Sequence, residues 1–258
     1  RKVVIVTGAS SGIGAAAAVR FAAEGARVVL IGRKEAKLKA VEQECLAKGG
    51  ETLAIVADVS IDDHARRIIQ QTLERFSGIN VLVNNAGVGG AGSITTDNIM
   101  EKFDKVMSIN LRGAVHLTHL AVPHLIKSKG NIVNVSSVAG MGIVAPDCFI
   151  YNTSKAGLDH FTRSIAFELA SKGVRVNAVN PGPVKTDMVE NYVLDKSKKV
   201  SQECVDITWN KMKDNPLSRI SDSDEIADLI LFLASDMARG ITGSCVVCDN
   251  GILLKGSS

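Results

Sequence analysis

The sequence predicts a doubly wound α/β fold, and three observations carry that expectation. Short β-branched runs recur along the 258 residues: KVVIVTG, ARVVLIG, ETLAIVAD, INVLVNN, GNIVNVSS, GVRVNAVNPG and GSCVVCDNG, seven strands in all. Most are continuously apolar rather than alternating, which marks parallel strands covered on both faces. Between them lie helix-length segments at 13–24, 35–48, 61–76, 98–127, 152–171 and 223–234. Repeating β then α in this way builds a parallel sheet with helices on both faces. In the longest of these segments a break is expected near Gly113.

Hydrophobic residues make up 46% of the chain and charged residues 22%, the balance of a folded protein with a sizeable core. No shift in composition marks a seam, so one domain is expected over residues 1–258. The net charge of +3 is small and its basic residues are scattered, which gives a nucleic acid no footprint. No apolar run reaches the ~18 residues of a membrane span. The chain opens at Arg1 on a strand-like run without a leader pattern, so a cytoplasmic protein is expected; without an initiating Met, organelle targeting stays open.

Five cysteines, at 45, 148, 204, 245 and 248, form no even framework and read as reduced thiols. Cys245 and Cys248 spell CxxC, but within a strand their odd offset sends the two side chains to opposite faces. His116, His119 and His124 share a helix without a carboxylate cluster and read as surface or interface residues. No metal site is expected. Residues 187–215 are too long for a plain connection. They read either as a lid, with Met188, Val189, Tyr192, Val193, Trp209 and Met212 closing over something apolar, or as a helical hairpin packed on its own domain.

The first strand runs into TGASSGIG, where Gly8, Gly12 and Gly14 lead into a helix beginning AAAAVRF. Glycines at those places let the backbone turn tightly and approach a pyrophosphate, and the helix start favours its charge. Ser10, Ser11 and Ile13 fill the same turn. At the end of strand two an acidic residue would bind the 2′-hydroxyl of NAD, yet Gly32 is followed by Arg33 and Lys34. That favours NADP(H) over NAD(H), since a guanidinium grips phosphate with two hydrogen bonds. The alternative is that Arg33 is only a surface charge at a basic helix start.

In FIYNTSKAGL, Tyr151 precedes Lys155 by one helical turn, so phenol and ammonium lie on one face. Such a pair also arises by chance. The company it keeps carries more weight: TGASSGIG at Thr7–Gly14, Asp58 after strand three, NNAG at 84–87, Asn110, Ser137, YNTSK at 151–155 and NPGPVKT at 180–186. Together these resemble the short-chain dehydrogenase/reductase family, in order and over nearly the entire chain. The resemblance implies a Rossmann-type sheet. It also implies that Asp58 and Val59 bind the adenine, and that Asn84, Asn85, Ala86 and Gly87 shape the crevice at the end of strand four. Pro181, Gly182, Val184 and Thr186 would border the nicotinamide. Tyr151 becomes general acid or base, and Lys155 lowers its pKa and binds the ribose. Ser137 holds the carbonyl oxygen, and Asn110 anchors a water chain.

Two departures stand out. The interval from Ser137 to Tyr151 is one residue longer than the family's usual spacing, so VAGMGIVAPDCFI must bulge and Ser136 stays a contender for the serine role. Ser10 and Ser11 also stand where many NADP-dependent members carry a basic residue. The chemistry implied is hydride transfer between nicotinamide and a carbonyl carbon, with Tyr151 supplying the proton. A phenol titrates near pH ~10, and bringing it to neutrality asks Lys155 and the oxidised nicotinamide for roughly 4 kcal/mol. The functional expectation is an NADPH-dependent carbonyl reductase, or alcohol dehydrogenase in reverse, acting on a small-molecule carbonyl. Two alternatives remain. One is a 3-oxoacyl thioester reductase, for whose acidic carrier Lys127, Lys129 and Lys172 would form a patch. The other is a catalytically silent cofactor-binding regulator. The resemblance further suggests a homotetramer built on helices near 110–127 and 152–171.

Overall fold

The structure is a computed structural model describing residues 1–143, 146–187, 210 and 212–255. Seven strands form one sheet: β1 Val3–Thr7, β2 Arg27–Gly32, β3 Glu51–Val56, β4 Val81–Asn84, β5 Asn131–Val135, β6 Arg175–Pro181 and β7 Cys245–Cys248. Every pairing is parallel, in the order β3-β2-β1-β4-β5-β6-β7. The chain therefore winds outward from β1 to β3, then crosses back to set β4 against β1. The switch point between β1 and β4 opens a crevice at the carboxyl ends of the strands, where ligands of such sheets bind.

Period-two alternation explains why the strands are apolar throughout. Val4 and Val6 of β1 pack into a core with α1 (Gly12–Ala23), α2 (Glu35–Ala47) and α7 (Ser223–Ala234). Their neighbours Val3 and Ile5 pack on the opposite face, against α3 (Asp62–Phe76), α5 (Gly113–Ser128) and α6 (Phe149–Ala170). All four side chains are buried, each stabilising the fold by about 1.5–3 kcal/mol relative to exposure. Asp222 and Glu225 close a capping box at the start of α7.

Two boundaries differ from expectation. The long segment does not break at Gly113: α4 (Ile99–Met107) passes through a π-helical turn, Ser108–Arg112, into α5. Gly113 is required instead by crowding, since a Cβ there would lie 2.9 Å from the Val59 carbonyl oxygen. Helix α6 begins at Phe149, three residues early. Most of the lid expected over 187–215 lies outside the described residues. No described helix is long and apolar enough to cross a membrane. Cys248 packs into the α1 side of the sheet, while Cys245 faces α6 beside Arg163, so the CxxC side chains diverge.

Candidate active site

Helix α6 delivers Tyr151 and Lys155 to the carboxyl end of β5, where Ser137 follows the strand directly. The Ser137 hydroxyl lies beside the Tyr151 phenol and favours its ionised form. Ser137 Oγ also accepts from Ala139 N at 3.1 Å and reaches the Pro181 carbonyl at 3.5 Å. Lys155 is 3% exposed; its Nζ donates to the Val135 carbonyl at 2.8 Å and stands 5.6 Å from the Tyr151 ring centre. The pleat turns the two serines apart. Ser136 Oγ turns the other way, 3.2 Å from the Lys155 carbonyl, and Ser137 alone of the two meets the phenol.

Asn110 sits in the π-turn and is 1% exposed. Its Oδ1 accepts from Val88 N at 2.8 Å, and its Nδ2 donates to the Val88 carbonyl at 2.9 Å and to Ser154 Oγ at 3.1 Å. The amide thus clamps the segment after β4 to α6. Gly87 lies between: a Cβ there would stand 3.5 Å from Asn110 Oδ1 and 3.6 Å from Lys155 Nζ. A π-turn at a functional residue fits a common pattern, because the extra backbone residue re-aims one side chain.

In the chain by itself, burial opposes the charged form of both groups. Burial pushes the Tyr151 phenol above its ordinary pKa, and the Ser137 hydroxyl offsets only part of that. Burial also lowers Lys155 to about 8, against a smaller opposing pull from Asp159. The lowering that the family resemblance implies draws on Lys155 together with an oxidised nicotinamide, and within the chain alone the ammonium is itself desolvated and bonded to a carbonyl. The protein's own groups therefore hold Tyr151 as a protonated phenol, the form that can donate to a developing alkoxide.

The glycine turn has the shape of an anion cradle. Gly8 and Gly12 adopt φ +67° and +57°, and a Cβ on Gly14 would lie 2.4 Å from both Asn85 Nδ2 and the Gly8 carbonyl oxygen. Ser11, the N-cap of α1, makes no side-chain cap, so an anion at this helix start would take that place. Asn85 proves to be a brace: Nδ2 donates to the Thr7 and Gly8 carbonyls at 2.9 and 3.3 Å. Thr7 Oγ1 accepts from the Asn85 and Ala86 amides. Thr186 comes round from β6 so closely that a Gly12 Cβ would meet its Cγ2 at 2.9 Å. Ile13 packs on the core, Val59 and Val184 are buried, and Gly182 donates to the Cys248 carbonyl. These contacts fit a dinucleotide laid along the strand ends from Arg33 to Thr186.

At the β2 end, Arg33 is half exposed and pairs with Asp58 at 3.6 Å, while Lys34 is exposed. Burial alone would raise the Asp58 carboxyl, but two hydrogen bonds from Ser60, with Arg33 and His64, carry it below its ordinary pKa. Ser10 lies against Gly32. Sequence reasoning missed Asp187, whose carboxylate joins Lys37 at 2.5 Å and hydrogen-bonds Ser11 across the glycine turn. It also missed Asp159, considered below, although the i+4 step from Lys155 was there to be read. His116 stands 3.4 Å from Asp62, and no cluster of three metal-ligating side chains occurs among the described residues.

With this geometry in view, likeness to known proteins is informative. A family profile described as Enoyl-(Acyl carrier protein) reductase matches residues 8–253. A 3-oxoacyl-[acyl-carrier-protein] reductase of Synechocystis is 39% identical, covering 98% of this chain and 97% of the relative. A glucose 1-dehydrogenase of Gluconobacter oxydans is 37% identical over 99% and 93%. A Caenorhabditis elegans short-chain dehydrogenase/reductase of unknown function, solved with cofactor, superposes with TM-score 0.89 at 36% identity, covering 98% and 95%. The chain belongs to the short-chain dehydrogenase/reductase family. It is accordingly an oxidoreductase of CH–OH and C=O groups that works with a nicotinamide cofactor.

Proposed function

We propose that the protein is an NADP(H)-dependent carbonyl reductase, running as an alcohol dehydrogenase in reverse. The observation that carries this reading is the meeting of Tyr151 and Ser137 at the strand ends, with the Lys155 ammonium 5.6 Å from the Tyr151 ring centre. When bound, the nicotinamide supplies hydride to the carbonyl carbon or removes it. Ser137 then donates to the carbonyl oxygen in place of its contact with Tyr151, and Tyr151 passes its phenolic proton to that oxygen as charge develops. Lys155 stabilises the phenolate left behind and binds the ribose. Asn110, braced by Val88 and Ser154, holds the path by which a proton from solvent returns to the Tyr151 phenolate past Lys155. NADP(H) is favoured by Arg33 and Lys34, basic groups at the β2 end where an acid would repel the 2′-phosphate.

The test is parallel assay of ketones, aldehydes and dicarbonyls with NADPH and NADH. Oxidation of NADPH across part of the panel is expected; binding without turnover on any substrate would favour a silent regulator. A second reading, 3-oxoacyl thioester reduction, is favoured by the Synechocystis relative. The basic patch supports it less well. Lys129 packs its stem over Gly173, bringing the α5 and α6 ends together, but this lies before β5, roughly 25 Å of extended chain from Ser137. An acidic carrier docked there would feed another subunit's site, so Lys172→Glu should slow a carrier-linked substrate and spare a free ketone.

A further inference from the structure

Helix α6 carries Tyr151, Lys155, Asp159 and Arg163 at successive four-residue steps, so phenol, ammonium, carboxylate and guanidinium follow one another along a slowly turning stripe. The second and third are deeply buried: Lys155 is 3% exposed and Asp159 2%. The one hydrogen bond seen for the Lys155 ammonium runs to a neutral carbonyl, Val135. A buried ammonium so held is costly unless a counter-charge acts on it. Among the described residues the buried carboxylate one turn along the same helix, Asp159, is the counter-charge at hand, although it stands beyond 4 Å ion-pair range of the Lys155 ammonium.

The seat of Asp159 is built. Its Oδ2 accepts from Asn180 Nδ2 at 2.8 Å, and the same amide donates to the Ser137 carbonyl at 3.0 Å. Burial pushes the Asp159 carboxyl above its ordinary pKa, and Ser136, whose Oγ donates to the Lys155 carbonyl at 3.2 Å, and Asn180 offset part of that. Gly140, three residues past Ser137, makes the room, since a Cβ there would lie 2.7 Å from Asp159 Oδ2. Asp159 Oδ1 is buried with no hydrogen-bond partner among the described residues. Arg163 faces it from α6 and Cys245 from β7; burial pushes that thiol up, so it brings no competing charge. Around Lys155 the other titratable neighbour is Tyr151.

We propose that Asp159 is a positioning residue for this site: its carboxylate holds Lys155 as an ammonium inside the protein and, through Asn180, fixes the strand end that presents Ser137. The proposal rests on the reading of Tyr151 and Lys155 above, and it can fail separately from that reading.

The test is the titration of Lys155 in protein carrying isotope-labelled lysine, its signal assigned by loss in Lys155→Met. In Asp159→Asn, which keeps size and hydrogen bonding, Lys155 should titrate lower by about one pH unit or more. The alkaline limb of kcat/KM should move the same way, with NADPH affinity changed by less than about threefold. A folded variant in which neither the lysine titration nor the limb moves overturns the proposal, because a merely structural acid would lower Tm and leave both in place. Should the variant not fold, the Asp159 carboxyl carbon of the native protein decides. A carboxylate signal at neutral pH supports the proposal, and a protonated acid overturns it. Absence of turnover in the native protein across the panel would count against the enzyme reading while leaving the lysine titration to judge Asp159.

Discussion

Tyr151 and Lys155 carry opposite titration demands, and burial works against the charged form of each. Tyr151→Phe keeps the ring and its packing but removes the transferable proton. Turnover should fall about a thousandfold or more while NADPH binding, read by nucleotide fluorescence, persists. Lys155 gives a stability prediction whose sign is fixed. The native ammonium titrates near 8 and the unfolded one at 10.5. Between those values the unfolded chain holds more protons, so stability rises with pH across that window. Below it the buried charge costs on the order of 3 kcal/mol. Denaturant unfolding of Lys155→Met should lose that rise, and an unchanged slope would mean that Lys155 titrates as it does in water.

At the scale of elements, the glycine turn and the π-turn hold the site by close approach. Gly14→Ala would drive a methyl into Asn85 Nδ2 and the Gly8 carbonyl, so it should abolish nucleotide binding before it unfolds the sheet. Asn110→Ala would strip the Val88 amide and carbonyl of their clamp. That should cost about 2 kcal/mol and lower Tm by roughly 4–8 °C. Equal stability of Asn110→Ala and the native chain would show that the π-turn is held by its own backbone.

The whole molecule presents two surfaces whose partners are open to experiment. Arg33 leaves the sheet at the cofactor's expected ribose end, and Arg33→Asp should reverse the NADPH over NADH preference in kcat/KM. No change there would demote Arg33 to a surface charge, balanced by Asp58. On α6, Phe167 is 90% exposed, an apolar side chain on a helix already expected to pack against another copy. Light scattering should find a tetramer, and Phe167→Glu should weaken it; an unaltered mass would place the interface elsewhere.

The fold was legible because its signals are local. Apolar runs such as VVIVT state that both faces are covered, and the glycine spacing from Gly8 to Gly14 states where the backbone must bend. The Tyr151–Lys155 step and the strand-end positions of Asp58, Asn85, Ser137 and Thr186 were likewise readable, because a parallel sheet sends every such residue to one edge. What the chain alone left open depended on which groups meet across elements. The pleat sent the Ser136 and Ser137 hydroxyls apart, and in place of the expected break at Gly113 the chain carries a π-turn over Ser108–Arg112. Tertiary burial raises the Tyr151 pKa in the chain by itself and encloses Asp159 one turn from Lys155. Sequence fixes spacing along the backbone, whereas desolvation and charge pairing are properties of distances that exist only after the sheet has closed around them.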